Sequence, residues 1–567
     1  MINIDMSSPT IIKPVVRKGR KSRKGLVPFL LLGAFLFTVL FLFLENRIAF
    51  MKAVESVLNY KRRAYIYNTY TIAFDDTVPE EFQNMVKENL GRIMFGKKKR
   101  FEFNDRKTDL VIGTEKKEGS EVIFSKDFIP VGHLYSLLTN LDESDLKQKN
   151  LFMIDSRLKE YIERQYGVTI NVLASMEEMV VKLKESDENI GLVSFGDLNP
   201  SVKIIPFGGK YYLDDQEGGV KFKFYSSVKE EDKFIIPVIA KNVDGGGVGS
   251  LSEDKLLKLN MSGVVAISRA LGMKMNSLQD WAYPAREIGS FLADADLTHV
   301  SNESSFVPGC VVFSGMRFCS RLEYLETLKA SGVDIVELTG NHNNDYGAKY
   351  NADNAKMYTE MGWRYFGGGV NDEDASKILY EDVKGTKVAF LGYNFYDSML
   401  NTAAIAGKDR AGANYYSEEK MKRNIEEAKK NADVVIVTFQ FQECYSYPDG
   451  DVIFPICYKP LSSPDQKGTF KKAIDFGANI VVGTQAHQPQ TYEIYNNGVI
   501  FYGLGNLYFD QSMWIGTRQG LVLTHYFYDG KHIQTKVVPI YMSKDLIPRL
   551  ATKEQGDLIL KLLKEAR

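Results

Sequence analysis

Glu337-Leu338-Thr339-Gly340-Asn341-His342-Asn343-Asn344-Asp345-Tyr346-Gly347 sets amide, imidazole and carboxylate side chains directly behind an apolar strand. Upstream, Leu322, Leu325 and Leu328 recur at helical spacing, Gly332 stops the helix, and Asp334 to Leu338 reads as a short buried strand. Ligands of open α/β sheets gather at the carboxyl ends of strands, so a polar run in that position predicts a site. The same grammar recurs along the chain. Ala293 to Val300 leads into Ser301-Asn302-Glu303, Val434 to Val437 into Gln440-Phe441-Gln442-Glu443, and Ile480 to Val482 into Gly483-Thr484-Gln485-Ala486-His487-Gln488. One such run alone is an ordinary solvated loop, but the repetition predicts a single composite pocket.

At 567 residues the chain exceeds one typical core, which predicts two folded domains and an accessory segment. Its 44% hydrophobic and 25% charged residues place it among globular proteins. A net charge of -1 and the lack of base-contacting motifs argue against nucleic acid as a partner. Lys13, Arg17, Lys18, Arg20, Lys21, Arg23 and Lys24 precede an uncharged apolar stretch from Gly25 to Leu44, long enough to cross a bilayer as a helix. Phe and Leu continue to its end with no small-residue cleavage site, which predicts an uncleaved single-pass anchor in the cell membrane. With the basic cluster on the cytoplasmic side, the bulk of the chain after Asn46 is expected outside. Cys310 with Cys319 and Cys444 with Cys457 form close pairs in sequence that fit two local disulfides, although other connectivities and free thiols stay open.

The expected organisation is a basic segment over 1–24, the anchor over 25–44, an α/β domain over 60–241, a linker over 242–258, a second domain over 259–545 and a C-terminal helix over 546–567. In the first domain the apolar strands Asp109 to Gly113, Val122 to Phe124 and Ile190 to Phe195 alternate with amphipathic segments such as Ser156 to Tyr166 and Ser175 to Ser186. Glu188 to Leu198 followed by Lys203-Ile204-Ile205-Pro206-Phe207 resembles phosphate-type periplasmic solute-binding proteins. That resemblance implies a fold and supplies no ligand residues, so solute binding and a docking role both stay open. Gly245-Gly246-Gly247 with Gly249 and Ser250 reads as the linker, and Gly367 to Gly369 as a tight turn.

From Met261 to about Tyr541 the sequence resembles the bacterial CapA family of capsule and poly-gamma-glutamate synthesis proteins. The resemblance rests on Asn302-Glu303, Gly340 to Gly347, Glu443 with Tyr445, Gly477-Ala478-Asn479 leading to His487, and Gly503 to Asp510. It implies a four-layer α/β/β/α metallophosphatase-like domain and a role in capsule or poly-gamma-glutamate biosynthesis and export. An anionic envelope polymer and the membrane subunits of a polymer synthase are then the expected partners. The departures are informative. Where the family opens with a strand ending in Gly-Asp, Met261 to Arg269 contains no carboxylate, and Gln440 and Gln485 stand where the family has histidines. A neutral amide oxygen is a weaker metal donor than imidazole, and without a bridging carboxylate two close cations are poorly neutralised.

Three chemistries stay open on these residues. A reduced site could hold one divalent metal ion, manganese, iron or zinc, through Glu303, Asn341, His342 and His487 and hydrolyse a phosphoester or amide. A metal-free site would use Glu303 or His342 as acid or base, with Arg269 holding an anionic substrate. The third possibility is polymer binding without chemistry. Substrate contacts are expected from Arg269, Asn344, Gln440, Glu443, Gln485 and Asn506. Asn506 and Asp510 read first as organising a turn after Val499 to Tyr502, His299 as a packed core residue, and Gln488 and Gln490 as partners of backbone groups. His133, His525 and His532 match no motif and are assigned nothing.

Overall fold

The computed structural model describes residues 69–95, 98–104, 108–243, 251–395, 404–441 and 458–567. The expected anchor, the glycine linker, Glu443 and the Cys444 and Cys457 pair lie outside the described residues. Among those that are described, no helix is long and apolar enough to cross a membrane. The described residues divide into two compact units, 69–72 with 91–95, 98–104 and 108, and 73–90 with those from 109 onward. In the first, Tyr70 to Ile72 pairs in parallel with Phe101 to Phe103, and Met94–Phe95 pairs antiparallel with Lys98–Lys99.

The second unit begins with an α/β sheet whose strands run in the order Leu110–Gly113, Val220–Val228, Ser120–His133, Asn189–Val193, Asn150–Met153 and Ile170–Val172. Val202–Ile204 pairs with the far end of the long strand Ser120–His133. Alternation along Val220–Val228 buries Phe222 and Phe224 against Phe82, which stacks on Phe224 with ring centroids 3.6 Å apart. Met176–Glu185 starts where the Ser175 hydroxyl accepts from the Glu178 amide, and Lys159–Tyr166 ends at Gly167 in the left-handed region.

After this domain the chain forms two sheets packed face to face. One runs Arg364–Phe366, Ile335–Glu337, Leu297–Asn302, Leu256–Val265, Gln519–Tyr528, Lys531–Met542 and Pro548–Leu550, with its first four strands parallel. The other runs Leu379–Val383, Thr386–Asn394, Val434–Gln440, Ile480–Gly483, Gly498–Leu504 and Pro489–Tyr495, with its middle four parallel. Leu259, Met261 and Ile335 meet Phe390, Ile436 and Val482 between the sheets. Both faces of the parallel strands are covered, hence their near-continuous apolar sequence. Leu271, Met275, Leu328 and Tyr358 from helices cover the outer face of one sheet, and Met421, Ile425, Phe470 and Ile474 that of the other. Each such buried side chain contributes about 1.5–3 kcal/mol relative to exposure.

Several boundaries shift. Leu256 already belongs to the central strand, so the second domain begins inside the expected linker. The expected helix over 546–567 starts only at Lys553, where Thr552 and Gln555 form a capping box. Before it, Pro548–Leu550 adds an edge strand, a position that tolerates proline because the missing N–H faces no partner. Gly368–Gly369 is a short strand paired with Gly412–Ala413 and not only a turn, and a Cβ on Gly368 would stand 2.4 Å from the Leu338 carbonyl oxygen. The two domains are joined by side chains: Asp214 accepts from the Tyr526 hydroxyl at 2.7 Å and pairs with Lys536 at 2.6 Å, while Gln534 donates to the Val202 carbonyl at 2.9 Å.

Candidate functional site

The carboxyl ends of the parallel strands from both sheets converge. Leu297–Asn302 delivers Asn302 and Glu303, and Ile335–Glu337 feeds the loop that carries Asn341, His342 and Asp345 to the helix Ala348–Glu360. Gly340 allows that loop to cross closely, since a Cβ there would stand 2.6 Å from the Glu303 Cα and 2.7 Å from the Asn302 carbonyl oxygen. Asn343 fixes the crossing by donating to the Asn302 carbonyl at 3.1 Å, and the Ser305 hydroxyl donates to the Asn343 carbonyl at 2.6 Å.

His342 Nδ1 lies 2.7 Å from Asp345 Oδ2, and its Nε2 is 4.0 Å from Glu303 Oε1. A carboxylate only accepts, so the ring proton belongs on Nδ1 and the neutral ring keeps its lone pair on Nε2. Phe318 packs on the same ring at a centroid distance of 4.0 Å, and its backbone N–H donates to Asp345 Oδ2 at 2.7 Å. His487 is oriented in the same manner, with Nδ1 2.8 Å from Asn506 Oδ1. The Asn506 amide nitrogen donates to the carbonyls of His487 at 3.2 Å and Thr517 at 3.0 Å, so Asn506 both holds the turn and orients the imidazole.

An amide network lies between the histidines and the second sheet. Gln440 donates from Nε2 to Asn341 Oδ1 at 2.8 Å and to Gln485 Oε1, while its own oxygen accepts from Asn394 Nδ2 at 2.7 Å. Asn394 also donates to the Thr339 carbonyl at 2.7 Å, linking the sheets. Beneath this network Glu337 is fully buried. Its Oε2 meets His299 Nε2 at 3.1 Å, and its Oε1 accepts from Thr339 and, at 3.1 Å, from Thr484 of the opposite sheet. His299 is thus a core histidine, as read from its place within a strand.

Arg269 adopts φ 44° and bonds to Asp510, with Nε 2.9 Å from Oδ1. The other Asp510 oxygen accepts from the Ala270 backbone at 2.7 Å. The guanidinium lies over Phe318 at 4.8 Å and Phe509 at 4.6 Å. Its charge is therefore neutralised and covered on two faces, which leaves little of it for a substrate anion.

Seven of the predicted residues fall into three groups. Glu303 meets His342, Asn341 meets Gln440, which in turn meets Gln485, and His487 meets Asn506, whereas Asn344 turns aside, donating to the Ala411 carbonyl at 2.9 Å and accepting from Asn351 at 3.0 Å. Arg269 approaches both histidines through Phe318 and Phe509. Sequence reasoning passed over Asn394, although it ends the strand Thr386–Asn394 and so obeys the same strand-end rule. Asp345 was visible in the opening stretch, three positions after His342. The histidines assigned nothing lie elsewhere and are held neutral by burial, which pushes His133 down to about 4 and His532 to about 3, and His525 well below its usual value.

The donor set does not fit a dinuclear metal centre. Two of its positions, Gln440 and Gln485, are neutral amides bonded to each other, and the Gln440 N–H groups point at oxygens of Gln485 and Asn341 that a cation would need. Among the described residues, no group of three or more His, Cys, Asp or Glu is arranged to hold a metal ion.

Residues 258–511 match the family described as Bacterial capsule synthesis protein PGA_cap. The Capsule biosynthesis protein CapA of Bacillus anthracis is 34% identical over 222 residues, which cover 38% of this chain and 50% of that protein. The PGA biosynthesis protein CapA of Bacillus subtilis (strain 168) is 29% identical over 219 residues, covering 38% and 53%. The chain thus spans about half the length of the curated relatives it matches. Similar solved structures include an ABC-type phosphate transport receptor from Vibrio cholerae, 10% identical with a TM-score of 0.23, covering 31% of this chain and 94% of that one. A phosphate ABC transporter substrate-binding protein from Clostridium perfringens is 12% identical with a TM-score of 0.18, covering 30% and 93%. At such TM-scores the likeness carries no argument.

Proposed function

We propose that the chain, whose residues 258–511 match the bacterial capsule synthesis protein PGA_cap family, serves capsule or poly-gamma-glutamate biosynthesis and export. In this reading it is held in the cell membrane by Gly25 to Leu44 with its bulk outside, beside the membrane subunits of a polymer synthase. Support for the placement comes from the basic cluster before that stretch and from the Cys310–Cys319 disulfide, a bond typical of oxidising compartments.

The pocket acts on or holds an anionic polymer without a dinuclear metal centre. The observation that carries this reading is the Gln440 amide donating to both Asn341 and Gln485, which fills the strand ends with neutral groups. His342, oriented by Asp345 and facing Glu303, is the proton-handling group. The test is polymer yield in capsule-forming cells that depend on this chain, with chain abundance measured in parallel. His342→Ala and His487→Ala should each lower surface polymer at unchanged chain level, and elemental analysis of the purified full chain should find no more than one equivalent of manganese, iron or zinc. Unchanged polymer in both variants, or two equivalents of metal, would overturn the reading.

A further inference from the structure

A cavity of about 280 Å³ opens where the first domain meets the strand Lys531–Met542 and the C-terminal helix. Its wall is mainly apolar, with Leu134, Ile204, Val538, Pro539 and Leu560 among the residues that line it. Lys203, on the strand Val202–Ile204, brings an ammonium to this wall. That ammonium donates to the carbonyls of Ser136 at 2.6 Å and Leu138 at 3.0 Å. Two carbonyls solvate a cation without neutralising it, and a third N–H is left over.

The other charges at the rim are already matched. Lys536 pairs with Asp214 and Lys553 with Asp557, each at 2.6 Å, whereas Lys203 has no ion-pair partner among the described residues. A half-buried cation without an ion pair on a mainly apolar wall, where Asp557 is the one carboxylate in the lining, is costly unless an anion joins it. Consistent with that cost, burial lowers the Lys203 ammonium to about 8, while Asp557 and Asp187 act to raise it and Lys564 to lower it.

We propose that this cavity binds a small organic carboxylate, its carboxyl group on the Lys203 ammonium and its apolar body against Ile204, Val538 and Leu560. The site is separate from the strand-end pocket and does not rest on the function proposed for that pocket. A cation at one end of an apolar cavity selects for charge and apolar bulk together, so a neutral isostere loses the charge-assisted bond while keeping the packing.

The experiment uses fluorine NMR on the full chain with para-fluorophenylpropionate as probe and para-fluorophenylpropionamide as its neutral counterpart. Saturable carboxylate binding is expected with a Kd of about 1 mM or tighter, and the amide should bind roughly tenfold more weakly. Lys203→Met should abolish the preference for the carboxylate. Gly556→Leu provides a second variant that fills space without strain, because a Cβ at this helical glycine lies 3.9 Å from Pro539 and 4.0 Å from Ala551. It should weaken both probes by roughly tenfold or more while leaving thermal unfolding intact. Equal affinity for the two probes, binding unchanged in both variants, or no saturable binding up to roughly 10 mM would each overturn the proposal.

Discussion

Gln440→Leu tests the amide network most directly. The substitution keeps approximate volume but withdraws the donor that Asn341 Oδ1 and Gln485 Oε1 share, and it removes one of the two acceptors of Asn394. Each buried amide oxygen deprived of a donor costs about 1–3 kcal/mol, so the two together should cost about 2–4 kcal/mol when neighbours partly relax. For a sandwich domain of roughly 300 residues, 1 kcal/mol moves the melting temperature by about 1.6 °C, which predicts a fall of about 3–6 °C. Calorimetry that resolves this domain's transition provides the assay. Adding Asn341→Ala to the same chain should cost less than the sum of the single changes, with a coupling of about 0.5–2 kcal/mol. A Gln440→Leu shift below about 1 °C, or strict additivity with Asn341→Ala, would refute the claim that these amides satisfy one another.

Further predictions follow from other contacts. Asp345→Asn should keep the His342 ring in place but remove the charged acceptor that fixes its tautomer, lowering surface polymer about tenfold or more, as read in the same cells. Lys203 has a folded value of about 8 against an ordinary 10.5, so the folded chain loses this proton first; stability should rise by up to about 3 kcal/mol as pH climbs from about 8 to 10.5. Denaturant melts should show that rise and lose it in Lys203→Met, with Asp557, Asp187 and Lys564 as the charged neighbours in both chains. Replacing both Cys310 and Cys319 by Ser opens a loop whose ends are 9 residues apart in sequence and should cost about 3 kcal/mol. Hydrogen exchange over residues 304–320 should accelerate accordingly, because Phe318 adjoins the bridge and packs on His342.

The strand ends were legible because buried parallel strands write themselves as apolar runs, and a polar side chain placed immediately after such a run has few destinations but the sheet's carboxyl edge. Asn302, Glu303, Asn341, His342, Gln440, Gln485 and His487 all arrive there for that reason. Pairings between distant segments were not legible. Asp510 captures Arg269 across 241 positions, and Gln440 meets Asn341 across 99, distances over which local pattern holds no register. The reading of Arg269 as a substrate cation came from its side-chain type alone, and the carboxylate and two aromatic faces that occupy it are tertiary facts. The cavity beside Lys203 was equally hidden, since its walls come from the first domain, a late strand and the C-terminal helix.

Glu337 separates what the pocket does from what keeps it standing. Its oxygens take their partners from Thr339 and His299 on one sheet and from Thr484 on the other, all below the level at which Gln440, Gln485 and Asn341 meet. A lineage can therefore exchange imidazole for amide at the rim while this buried tie continues to hold the two sheets in register. On this architecture a change at the rim weakens the sandwich without releasing it, because a second tie between the sheets lies out of reach of whatever the pocket holds.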